Sequence, residues 1–101
     1  MMRSVRSGGF EVTVVRRGLH EDLQSAWLDD PETGRCEMFA TGENRRIERG
    51  AVCPDGFCRK AWRVIVDAVN EAEMCSKGRD GVMLVSCPDG SRPVVFKIET
   101  L

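Results

Sequence analysis

Nowhere in the 101 residues do about eighteen apolar side chains follow one another, so no segment is expected to span a membrane. The first nine residues, Met1 to Gly9, include Arg3 and Arg6 but lack the apolar stretch that would follow them in a secretory signal, and a cytoplasmic location is expected. Proline is scarce, at four residues, and glycine stands at ten, a composition that argues against both disorder and a fibrous repeat. An excess of charge is missing too. Fifteen Lys and Arg against sixteen Asp and Glu leave a net charge of -1, too balanced to neutralise a run of phosphates, so nucleic acid is disfavoured as a partner. Basic residues do cluster, as Arg45, Arg46 and Arg49 and as Arg59, Lys60 and Arg63, and such clusters read first as solvated faces. Histidine is nearly absent. With His20 alone, next to Glu21 and Asp22, a hydrolase triad has only one candidate base, and a solvated residue at a helix start is the plainer reading. No glycine-rich phosphate loop is present, because Gly8-Gly9 precedes a strand where such a loop would follow one.

What remains is ordinary globular sequence, of a length that closes one hydrophobic core. Phe10, Val12 and Val14 alternate with polar residues, the period of a half-buried strand. Leu19, Leu23, Ala26 and Trp27 then recur at helical spacing, predicting a first helix over Leu19 to Asp29 that stops before Pro31. The segments Glu37 to Ala40 and Arg45 to Glu48, separated by the turn Thr41-Gly42-Glu43-Asn44, read as a hairpin with few apolar anchors. Phe57, Ala61, Trp62, Ile65, Val66, Val69 and Ala72 predict a second helix reaching Met74, with Gly78 as its cap. Val82 to Val85 and Val94 to Ile98, joined by a turn rich in Pro, Asp and Gly, predict a C-terminal hairpin. The expected fold class is α+β: two helices packed on one face of a small, mainly antiparallel sheet, in the order β-α-β-β-α-β-β. A flexible segment, 1–9, precedes one domain, 10–101.

The candidate chemistry lies in five cysteines, Cys36, Cys53, Cys58, Cys75 and Cys87. An odd number cannot pair completely, and a cytoplasmic thiol pool keeps such residues reduced, so they read as ligands, redox groups or core residues rather than a disulfide scaffold. Cys-Pro-Asp-Gly occurs twice, at Cys53 and at Cys87, and each copy places a sulfur at the mouth of a turn, so that the two turns can face one another; the alternative is that Pro-Asp-Gly is simply a good turn sequence that two cysteines precede by coincidence. Cys58 falls at the start of the second helix, where the positive end of the dipole and unpaired N–H groups favour a thiolate, with Arg59 and Lys60 beside it; the alternative is a thiol filling the core next to Trp62 and Ile65. Arg92 can hold an anionic group beside Cys87, or pair with Asp89 in its own turn. Cys36, Cys58 and Cys87, joined by Cys53 or His20, offer soft ligands for zinc or iron, although their spacing matches no standard signature. Without a metal, the same convergence suits thiol redox chemistry, one cysteine attacking and a second resolving. Cys75, on a separate stretch, reads as a bystander.

Cys36 with Phe39 and Gly42, the run Pro54-Asp55-Gly56-Phe57-Cys58 leading into Ala61-Trp62, and Cys87 followed by Asp89-Gly90-Ser91-Arg92-Pro93-Val94-Val95-Phe96-Lys97 carry a resemblance. On these residues the chain resembles a family of small, uncharacterised, cysteine-containing bacterial and archaeal proteins, over most of its length from Phe10 onward. The resemblance implies cysteines at the positions of Cys36, Cys58 and Cys87, which singles those three out over Cys53 and Cys75. The sequence departs from the family at Arg59 and Lys60, where Ser-Trp is usual, and at Ser86, where many members have a cysteine next to Cys87. It implies positions and no activity. The expectation is therefore a small cytoplasmic protein whose Cys36, Cys58 and Cys87 meet near the start of the second helix to bind zinc or iron or to do thiol redox chemistry, with Cys58, Cys87 and Arg92 as catalytic candidates. The alternative is a non-enzymatic interaction module or accessory subunit, its cysteines packed in the core and its partner another protein or a second copy of the chain.

Overall fold

Alternation of β-branched and aromatic residues with polar ones puts Phe10, Val12 and Val14 on one buried face of β1 (Gly9–Arg17). The computed structural model describes residues 9–70, 76–77 and 81–100. After β1 come α1 (Glu21–Trp27), β2 (Asn44–Glu48), α2 (Arg59–Asn70), β3 (Ser76–Lys77), β4 (Val82–Ser86) and β5 (Val94–Thr100). The strands form one sheet in the order β2-β1-β5-β4-β3, with every pairing antiparallel. The α+β class stands, with an all-antiparallel sheet.

The apolar face of α2 closes the core. Ala61 and Ile65, both fully buried, and Ala68 follow at i, i+4 and i+7, the spacing of one helical stripe, and join Val12, Val14, Met83, Phe96 and Ile98 in a single cluster. Small Ala side chains at two of the three positions let the helix lie close to the strands. The C-terminal hairpin also forms as expected, with Val82 opposite Glu99 and Ser86 opposite Val95.

Other expectations are corrected. Phe57 is buried at the end of the turn before α2 rather than in the helix, and the expected extension to Met74 and the Gly78 cap lie outside the described residues. Glu37 to Ala40 is not a strand: only Phe39 of that stretch is buried, and β2 pairs with β1 instead. The apolar stripe of α1 is not its buried face. Leu23 is 42% exposed and Trp27 81%, whereas Gln24 is 1% exposed. β1 opens at Gly9, the last residue of the segment expected to be flexible.

Gln24 is buried because the backbone around it lacks sheet partners. Its Nε2 donates to the Gly34 carbonyl at 3.0 Å and to the Ser91 hydroxyl at 3.2 Å, and its Oε1 accepts the Gly34 N–H at 2.9 Å. One side chain thus satisfies two loops that would otherwise bury unpaired polar groups. Nearby, the Gly18 N–H donates to the Pro93 carbonyl and the His20 N–H to the Ser91 carbonyl, fastening the β4–β5 turn to the end of β1.

Candidate functional site

Three segments distant in sequence meet at this end of the sheet. The first is the connection between α1 and β2, which carries Cys36, Met38 and Phe39. Register shifts between Val14 and Arg16 where β1 pairs with β5, leaving Val15 as an extra residue. Such a bulge re-aims the residues beyond it. Past the bulge, Arg17 donates from Nη1 to the Cys36 carbonyl at 3.0 Å, and Arg35 donates back to the Arg17 carbonyl at 3.2 Å. Cys36 is thereby held at the end of β1.

The second segment is the turn into α2. The Phe57 N–H donates to the Pro54 carbonyl at 3.1 Å, and Gly56 takes φ +78, the left-handed conformation that a type II turn demands at its third residue. Cys58 stands just before α2, its carbonyl accepting the Trp62 N–H at 2.9 Å as the first bond of the helix. The third segment is the β4–β5 turn. Cys87 and Val94 face each other across its base, the Cys87 N–H donating to the Val94 carbonyl at 3.0 Å and the Val94 N–H donating to the Cys87 sulfur at 3.3 Å. Asp89 Oδ1 accepts the N–H groups of Ser91 and Arg92, and its Oδ2 receives Arg92 Nε at 3.1 Å. Burial raises the Asp89 carboxyl, but the hydrogen bonds from Ser91 and Arg92 outweigh it and hold the group below its ordinary value.

These segments enclose a cleft of about 630 Å³ lined by Cys36, Cys58, Cys87 and Arg92 among others, a volume within the range of small-molecule sites. Its floor is aromatic and cross-braced. Phe39 stands edge-on to Phe57 at 5.1 Å and to Phe96 at 5.2 Å, and Phe57 meets Trp62 at 5.8 Å. The Arg45 guanidinium caps the Phe57 ring at 5.4 Å. Arg59 and Lys60 stand at the cleft as well, both exposed.

Cys36, Cys58 and Cys87 thus line one cavity, together with Arg92. Cys53 does not. It lines a separate depression with Trp62, Arg63 and Asp67, and its thiol donates to the carbonyls of Pro54 and Phe57, each at 3.7 Å. The two Cys-Pro-Asp-Gly copies also differ in backbone: the first is a turn with Gly56 left-handed, whereas the second is organised by the Asp89 carboxylate, with Gly90 outside the left-handed region. His20 is exposed and does not line the cleft. Of the two readings of Arg92, the ion pair with Asp89 is the contact formed, and the same side chain still borders the cavity. Cys36, Cys53, Cys58 and Cys87 are free thiols, and Cys75 lies outside the described residues. Among the described residues, no group of three or more His, Cys, Asp or Glu side chains is placed to hold a metal ion.

Set against family models, curated proteins and solved structures, the chain matches none. What the cleft can do must be read from its own groups. Sequence reasoning missed Gln24 and Arg17, which position the site from outside it, and Met38, which borders it. Nothing in their spacing marks them, since each acts on backbone or cavity brought near only by the fold.

Proposed function

We propose that this is a small cytoplasmic thiol redox protein that exchanges with low-molecular-weight disulfides in the cleft, with Cys58 as the attacking sulfur. The supporting observation is that three free cysteines, from three separate segments, line one ligand-sized cavity with an aromatic floor while Cys53 is turned away. Cys58 loses its proton and attacks one sulfur of a disulfide RS–SR. A Cys58–SR bond forms, the old S–S bond breaks, and RS⁻ leaves with the electron pair and takes up a proton. Cys87 or Cys36 then attacks the Cys58 sulfur and releases the second RSH, so the protein is oxidised by two electrons and RSSR is reduced to two RSH. The likeness to the family of small cysteine-containing proteins enters here on the same three positions.

The test is the rate at which each cysteine of the folded protein forms a mixed disulfide with hydroxyethyl disulfide, read by peptide mass spectrometry. Cys58 is expected to react first, and Cys58→Ser to abolish the reaction at the cleft. Elemental analysis of anaerobically purified protein runs beside it, and near one equivalent of zinc or iron with three thiols masked until chelation would replace the redox reading with a metal site. A second reading, an interaction module, is favoured by one observation: Leu23 and Trp27, neighbours at i and i+4 on α1, are exposed. Concentration-dependent sedimentation that Trp27→Ser removes would support a second copy of the chain as partner.

A further inference from the structure

Charge at the cleft is one-sided. Arg59, Lys60 and Arg92 border it, and the single carboxylate among its lining residues, Asp89, is already matched by Arg92. Arg59 and Lys60 form no ion pair among the described residues, and the first turn of α2 contains no acidic residue. Two cations therefore stand uncompensated beside an apolar cavity, with the unpaired N–H groups of a three-turn helix on the same side. The same cleft is lined by Met38, Phe39, Phe57 and Val94, which offer apolar surface.

From this arrangement we infer that the cleft selects a small anionic ligand with an apolar body: a carboxylate-bearing disulfide whose acid group is held by Arg59 and Lys60 while its chain lies on the aromatic floor. The inference deepens the thiol-exchange reading and rests on it for the reactive bond. A cleft lined by charge of one sign concentrates ligands of the opposite sign, and the gain fades as salt screens it. The exchange step is the one written above, with R bearing the carboxylate.

Two measurements test the inference. In the first, the folded protein is treated in turn with 3,3′-dithiodipropionate, hydroxyethyl disulfide and cystamine, which are anionic, neutral and cationic, and each rate is divided by that of a small reference thiol. The dianion is expected to exceed the dication by about tenfold or more at low salt. The double variant Arg59→Glu/Lys60→Glu should reverse the order; it places acids in the first turn of α2, where the helix dipole favours them, so folding is retained. In the second, suberate, an all-carbon counterpart of the dianion, is titrated by NMR, with saturable shifts expected around Phe57 to Lys60 in the wild type and none in the double variant. Fast exchange without charge preference, or a preference unchanged in the double variant, overturns the anionic ligand while leaving thiol exchange intact. Saturable suberate binding with no exchange at Cys58 keeps the anionic ligand and sinks the redox reading; no suberate binding and no charge preference sink the inference.

Discussion

Gln24 ties together the parts of the chain that frame the cleft. Replacing it with Ala leaves the part-buried Gly34 N–H and carbonyl without their partner, a cost of about 1 kcal/mol that urea denaturation should report. Gly18 is constrained by space: a Cβ there would meet Pro93 Cγ at 3.0 Å and its carbonyl oxygen at 3.1 Å, so Gly18→Ala should loosen the β4–β5 turn and lower stability. Neither role was legible in the sequence. The apolar recurrence of Leu19, Leu23, Ala26 and Trp27 pointed to a neighbouring stripe and not to Gln24, because periodicity registers apolar surface and not backbone groups in need of hydrogen bonds. Here those groups, at Gly34 and Ser91, determine which side of the short helix turns inward.

At the level of elements, the two Cys-Pro-Asp-Gly turns separate identical sequence from different structure. Gly56 is left-handed and Gly90 is not, so Gly56→Ala should cost about 1–2 kcal/mol while Gly90→Ala stays within about 0.5 kcal/mol, again by urea denaturation. The second turn depends on a charged Asp89 instead. Its folded value lies below the unfolded one of about 3.9, so its contribution is present above that pH and is lost as pH falls through the lower folded value. Solvent reaches the Asp89–Arg92 pair, which keeps the effect small. Asp89→Asn should therefore show a shallower loss of stability below about pH 4 than the wild type. The two-residue β3 carries no period of its own, whereas β1, β4, β5 and α2 were legible, since their β-branched alternation and i, i+4, i+7 spacing coincide with how they pack. The expected strand at Glu37 to Ala40 was not, because only Phe39 has a core place and the rest follows the loop that carries Cys36.

For the molecule as a whole, the antiparallel sheet and α2 make the frame, and the cleft forms where the loop before β2, the turn before α2 and the β4–β5 turn come together at the end of β1. Position along the chain already set Cys58 at a helix start and Cys75 on a separate stretch, and left Cys53 as an optional companion of Cys36, Cys58 and Cys87. Cys36, Cys58 and Cys87 share the cavity while Cys53 lines a separate depression, a division that depends on how three distant segments fold together and that no residue count exposes. The most direct measurement of the central claim is the reactivity of the individual cysteines of the folded protein toward a small disulfide, followed by peptide mass spectrometry with the unfolded chain as reference. Cys58 should form the mixed disulfide fastest, Cys36 or Cys87 should be the next sulfur oxidised, and Cys53 should stay behind. Reaction led by Cys53, or all four described thiols slower than in the unfolded chain, would contradict it.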